Sequence, residues 1–149
     1  MRSISWRVVV SVLGLVTAFA LGVSAQVYRY YTPGSVWTVT TIRVKPGMDQ
    51  AYLAYLAGDW KRTENALVKA GYEKSYKVLR TMDDDAGSYN FILLREYADL
   101  ASMEANREKA DAVSSQVVGD DTKQMRGYDE RAKVRELVAT RYAREIVLK

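Results

Sequence analysis

The sequence predicts an α+β fold, a four-stranded antiparallel sheet with its helices on one face. Three observations carry this. Residues 36–97 read strand, helix, strand, strand. The last two of those strands flank a six-residue polar turn, 82–87, which makes them an antiparallel hairpin. After them the chain runs through helix-compatible sequence to a final alternating stretch, 140–148.

The first strand, 36–44, has two usable faces. Val36, Thr38, Thr40, Ile42 and Val44 point one way, and Trp37, Val39, Thr41 and Arg43 the other. Pro46-Gly47 closes it. Met48, Tyr52, Tyr55, Leu56, Trp60 and Leu67 then fall at spacings of three and four, one apolar helical stripe, leaving Asp59, Lys61, Arg62, Glu64 and Lys69 for the far side. Ala70-Gly71 is a helix stop. The second strand, 72–81, carries Tyr72, Tyr76, Val78 and Arg80 on one face. The third, 88–97, carries Tyr89, Phe91, Leu93, Arg95 and Tyr97 on one face and Asn90, Ile92, Leu94 and Glu96 on the other. Asp99 can cap a helix with a weak stripe from Leu100 to Val117, and Gly119-Asp120-Asp121 interrupts it. Residues 122–138 read as a charge-rich, solvated helix. In the final strand Tyr142, Arg144, Ile146 and Leu148 share a face. The order β-α-β-β-α-(α)-β is the split βαβ, ferredoxin-like plan. Its second sheet face is also largely apolar, and the simple remedy is to pack that face on a second copy.

The first 25 of the 149 residues stand apart. Arg2 and Arg7 precede 18 uncharged residues ending Val23-Ser24-Ala25, the pattern of a secretory signal peptide cleaved before Gln26. Retained, the same run would be a membrane anchor. The expected address is periplasmic or secreted. Residues 26–35, with Tyr28, Tyr30, Tyr31 and Pro33-Gly34, read as an N-terminal arm, and 36–149 as the folded domain. Loss of Arg2 and Arg7 takes Lys plus Arg from 22 to 20 against 18 acids, a net charge of about +2. No basic patch stands clear of acids, so nucleic acid is not expected, and membrane contact only through an uncleaved leader. The chain has no cysteine and no histidine. An exported domain of this kind is held by packing alone. Ser-His-Asp and Cys-His catalysis are excluded, and the commonest general base and metal ligand are absent. Asp83-x-Asp85-x-Gly87 lacks the rest of a calcium loop, with Leu94 where its closing Glu should stand. Neither metal nor cofactor is expected.

The run from Trp37 to Met48, the following Tyr52 and Trp60, the strand Ser75-Tyr76-Lys77-Val78-Leu79 and the closing Arg144-Glu145-Ile146-Val147-Leu148-Lys149 resemble the dimeric α+β barrel superfamily, in an exported branch. The resemblance covers nearly all of residues 35–149 and implies a homodimer packed through its sheets. Relatives there include cofactor-free monooxygenases, small polyketide-processing enzymes, stress-induced barrel proteins and haem-binding chlorite-dismutase-like enzymes. The last group needs a histidine on iron, so its chemistry does not carry over. Fold alone does not fix function.

Candidate site residues come from Arg and Tyr sharing strand faces: Tyr76 with Arg80, Tyr89 with Arg95, Tyr142 with Arg144, and Trp37 with Arg43. If those faces line the barrel they make an aromatic pocket with cationic donors, suited to a small aromatic or anionic ligand. Tyr52, Tyr55 and Trp60 would border it. Asn90 and Tyr76 are the side chains that the resemblance to cofactor-free oxygenases implies for holding a substrate. The competing reading is that all of these pack the dimer interface and the helix core. Three function classes follow: a small-ligand-binding or stress/envelope barrel protein; a cofactor-independent oxygenase-like or cyclase-like enzyme on a hydrophobic small molecule; and a structural subunit of a larger assembly. A buried Glu96 or Glu145 in a pocket would favour the enzyme.

Overall fold

The structure, a computed structural model, describes residues 29–82 and 88–149. The leader of residues 1–25 and the Asp83-Asp84-Asp85 turn lie outside the described residues. Strands β1 (Tyr31–Val44), β2 (Ser75–Arg80), β3 (Phe91–Tyr97) and β4 (Arg135–Leu148) form one sheet in the order β2-β3-β1-β4. β3 runs antiparallel to both β1 and β2. That order, with helices between β1 and β2 and between β3 and β4, is the expected split βαβ plan. The chain divides into two compact units, Ser35–Glu145 and a small one in which residues 29–34 meet Ile146–Lys149. In the small unit Lys149 N donates to Tyr30 O at 3.1 Å and Thr32 Oγ1 to Val147 O at 3.5 Å.

Several boundaries differ from the sequence expectation. β1 begins at Tyr31, so Tyr31–Gly34 of the expected arm are already strand. β4 begins at Arg135 rather than at 140, because helix α5 (Asp121–Val134) passes into it with no loop. Val134 packs on the core there, and its carbonyl accepts Lys45 N at 2.9 Å, pinning the junction to the end of β1. β2 and β3 start three residues later than expected, which leaves Tyr89 and Asn90 ahead of β3.

The first helical segment is α1 (Asp49–Tyr55), a π turn (Leu56–Trp60) and α2 (Lys61–Lys69) in direct succession. Tyr52, Leu56 and Trp60 are spaced by four. In an unbroken α-helix such a run drifts around the cylinder. The π turn absorbs the extra residue and keeps all three on the sheet. They bury against Ile42, Val44 and Phe91, with Tyr52 edge-on to Phe91 at 5.4 Å between ring centres. Met48, expected on the stripe, is exposed at the helix start. Glu64, expected on the solvent side, is fully buried. It sits four residues after Trp60 and three before Leu67, and so on the same face.

α2 ends in a Schellman turn. Gly71, at φ +76°, donates to Val68 O, and Tyr72 N donates to Leu67 O, each at 3.0 Å. This reversal carries Glu73 back under the helix. α3 (Leu100–Ala105) has the expected Asp99 cap, which accepts Ser102 N at 2.7 Å in a reciprocal capping box. α4 (Arg107–Val118) ends at Gly119, and Asp120 caps α5 by accepting Lys123 N at 2.9 Å. Neither α4 nor α5 has a fully buried residue. α4 leans on α2 and α5 on α1.

Candidate functional site

The register settles which sheet face meets the helices. β3 pairs Phe91 with Ile42, Leu93 with Thr40, Arg95 with Thr38 and Tyr97 with Val36. On its other side Arg80, Val78 and Tyr76 align with Phe91, Leu93 and Arg95. These residues share the face that carries the buried core. The Arg and Tyr side chains of β2 and β3 therefore turn toward the helices, not toward the sheet face left open. The cavity they help to form lies inside the Ser35–Glu145 unit, between sheet and helices.

That cavity has a volume of about 510 Å³. Thr38, Thr40, Leu93 and Arg95 make its floor, and Tyr55 and Trp60 its wall. Arg107 of α4, Tyr128 and Arg131 of α5, and Arg135 and Tyr142 of β4 enclose the rest. Tyr128 and Tyr142 are exposed, so the cavity opens to solvent at that end. Four arginines line it, answered by few acids. Arg107 Nη2 pairs with Glu104 at 2.7 Å, and Arg95 with Glu64. Arg131 and Arg135 form no ion pair among the described residues. Their guanidiniums lie over aromatic rings, Arg131 4.9 Å from the centre of Tyr55 and Arg135 5.8 Å from that of Tyr52. Both Nε atoms, and the Nε1 of Trp60, are buried with no hydrogen-bond acceptor among the described residues. The residues that carry these donors, Trp60, Arg131 and Arg135, all line the cavity, and two of them bring a guanidinium to it. The i, i+4 placement of Arg131 and Arg135 follows from the direct passage of α5 into β4.

Behind the floor sits a buried acidic pair. Glu64 is 0% exposed and takes Arg95 in a forked contact, with Nε at 2.9 Å from Oε2 and Nη2 at 2.6 Å from Oε1. Burial opposes the Arg95 charge, but the hydrogen bonds and charge of Glu64 outweigh it, and its pKa is raised. Glu73, with its side chain 3% exposed, stands 3.8 Å from Arg95 Nε and accepts Tyr97 Oη at 3.2 Å. Its Oε2 is buried with no donor among the described residues, and the Glu64 carboxyl lies within hydrogen-bond reach of Glu73. Burial, reinforced by the neighbouring Glu64 charge, pushes the Glu73 carboxyl up to about 8. Burial next to Glu73 pushes the Tyr97 phenol up to about 12. A second cavity of about 210 Å³ is lined by Glu73, Arg95, Tyr97, Arg107 and Asp111 among others, so it shares Arg95, Tyr97 and Arg107 with the first.

Of the residues predicted from sequence, Tyr55, Trp60, Arg95 and Tyr142 are brought together on the main cavity. Tyr52 is core, its phenol pushed up to about 12 by burial. Tyr76 packs edge-on against Trp60 and donates to Asn65 Oδ1 at 2.6 Å. Arg80 pairs with Asp49 at 3.1 Å, and Asn90 Oδ1 accepts Val44 N at 2.8 Å. These two fix structure away from the cavity. Tyr89 precedes β3 and does not join Arg95 on a strand face, contrary to the expected pairing. Trp37 and Arg43 lie on the open sheet face, Trp37 beneath Lys77 at 5.3 Å and Arg43 3.0 Å from Glu136. Arg144 is exposed and does not line the cavity with Tyr142. Neither Glu96 nor Glu145 lines either of these two cavities. Glu96 is held by Lys74 at 2.8 Å and by Ser75, and its pKa falls to about 2. Sequence reasoning missed Glu64, Glu73, Arg107, Arg131 and Arg135. Only Glu64 carried a signal, its place between Trp60 and Leu67 on the helical stripe.

No family model matches this chain, and no curated protein matches it. Among solved structures it is similar to HapK from Hahella chejuensis, at 11% identity and a TM-score of 0.48 over 74% of this chain and 91% of that one. It is also similar to a dimeric ferredoxin-like protein from an uncultured marine organism, at 9% identity and a TM-score of 0.49 over 79% and 90%. A third is a NIPSNAP family protein of unknown function from Agrobacterium tumefaciens, at 13% identity and a TM-score of 0.45 over 78% and 90%. The split βαβ assignment of this chain rests on its own strand order, β2-β3-β1-β4 with antiparallel pairing.

Proposed function

We propose that this protein is a homodimeric α+β barrel that binds a planar, anionic small molecule, an aromatic carboxylate in the simplest case, between sheet and helices. The observation that carries the reading is a cavity lined by four arginines, two of which, Arg131 and Arg135, form no ion pair among the described residues. Two arginines without ion-pair partners among the described residues favour an anion, and flanking rings of Tyr55, Trp60 and Tyr128 favour a flat one. The test is calorimetric titration with a panel of aromatic carboxylates, benzoate and phenylpyruvate first. Arg131→Leu or Arg135→Leu is expected to weaken any that bind by roughly tenfold or more, since a hydrogen bond to a charged group contributes about 1.5–3 kcal/mol. Unchanged affinity in both variants would refute the assignment. Export rests on the leader alone and is tested by the mass of the protein from its host's envelope fraction.

The dimer reading is supported by the open sheet face. Val39, Ile92 and Leu94 form its apolar centre beside Leu79, 46% exposed, and Val138, 42% exposed. Charges of both signs rim it, with Lys74, Lys77 and Arg43 against Glu96 and Glu136. A self-complementary patch of this kind suits a two-fold interface. Leu94→Asp places a charge at its centre. It is expected to give monomers by light scattering where the parent gives dimers, with the helical circular dichroism kept. A variant that stays dimeric would place the interface elsewhere.

A further inference from the structure

We propose that Glu73 and Tyr97 form a proton-transfer pair, which would make the protein a cofactor-independent catalyst of proton shifts in an anionic carbonyl compound. This rests on the anion-binding reading above and names the chemistry of that site. Tyr97 lines both cavities, and its hydroxyl is 3.2 Å from Glu73 Oε1. It therefore borders the cavity that Arg131 and Arg135 also line and touches the buried carboxyl. The groups facing Glu73 are Glu64 from α2, Arg95 and Tyr97 from β3, and across the smaller cavity Arg107 and Asp111 from α4. Arg95 is engaged by the forked Glu64 contact, 2.6 Å against 3.8 Å to Glu73, so Glu73 is not held ionised by it. The result is a buried carboxylic acid that keeps its proton at neutral pH, the condition general acid catalysis asks for.

The step is a 1,3 proton shift. Once the phenol O–H turns from Glu73 to the substrate and the Glu73 hydroxyl turns to Tyr97 Oη, Tyr97 gives its phenolic proton to one position of the substrate as the Glu73 carboxyl proton moves to the phenol oxygen, leaving a Glu73 carboxylate. A proton from the other position of the substrate returns through the same phenol to Glu73. One bond to hydrogen forms for each that breaks, no electrons are exchanged, and no co-reactant is consumed. The intermediate is the protonated substrate, whose charge is offset by the Glu73 carboxylate left behind.

The test follows hydrogen–deuterium exchange at the methylene of phenylpyruvate in heavy water by proton NMR, at saturating phenylpyruvate. The full-length protein is expected to accelerate exchange about 100-fold over buffer. Tyr97→Phe and Glu73→Gln should each remove at least nine-tenths of that acceleration. The rate should fall above pH about 8 in the parent, and Glu73→Gln should lose that limb. Thermal melts establish that both variants fold, and Tyr97→Phe stands alone if Glu73→Gln does not. Phenylpyruvate bound but exchanging at the buffer rate would overturn the proton-transfer pair and leave the binding reading intact. Exchange that survives both substitutions would also overturn it. Failure of phenylpyruvate to bind would overturn this proposal, and failure of the whole carboxylate panel would remove the anion site with it.

Discussion

Arg95→Leu is expected to destabilise the fold by roughly 3–5 kcal/mol, the cost of leaving a buried ion-pair partner alone. Glu64 is 0% exposed and takes its hydrogen bonds from Arg95, so the single substitution strands a carboxylate beneath α2. Arg95 itself is partly exposed, so the loss comes mainly from the glutamate left behind. A fall in melting temperature on the order of 10 °C or more should follow in a domain of this size. The double variant Arg95→Leu with Glu64→Leu is expected to recover much of the loss, because apolar residues of similar volume can replace a buried ion pair at little cost. Thermal melts of the parent and the two variants decide the matter. Equal destabilisation in single and double variants would show that Arg95 supports the floor of the cavity by packing rather than by charge.

The same residues show how far the sequence could be read. Period-two alternation placed all four strands, because β1 and β3 each put one face on a core and the other outward. The Asp99 cap and the Gly71 stop were legible because each is a local device, satisfied by atoms within a few residues. The cavity was not local. Arg131 and Arg135 were read into a solvated helix, since nothing in their own neighbourhood records that α5 runs into β4 over the aromatic rings of α1. Glu73 lay in what read as the start of a strand. It is the Schellman reversal that turns it inward, and Arg95 and Tyr97 on β3 give it a setting. Tyr and Arg on shared strand faces were recognised, but alternation alone does not say which face the helices cover. The sheet register does, and it sends Tyr76, Arg80 and Arg95 inward and leaves Trp37 and Arg43 outside.

Glu73→Gln is expected to make the protein more stable at neutral pH, with a gain that depends on pH in a defined window. The Glu73 carboxyl is raised from 4.5 to about 8 by burial and by the Glu64 charge. The folded state therefore binds a proton there that the unfolded chain releases once pH exceeds about 4.5. Stability falls as pH rises wherever the native state holds the extra proton. The contribution of Glu73 is fully present below about pH 4.5, is lost progressively up to about pH 8, and changes no further above that. Glutamine keeps the neutral form at every pH and can still accept the Tyr97 hydrogen bond. Denaturant titrations of the two proteins should agree near pH 5, then separate by up to about 1.4 kcal/mol per pH unit until about pH 8. A difference that is flat across this range would show that Glu73 titrates normally. The slope matters because it exposes a liability the fold carries. Above about pH 4.5 this buried acid lowers the stability of the fold, and a glutamine removes that loss. Acids held at such a cost cluster at functional sites, where a proton is needed more than the stability it takes away.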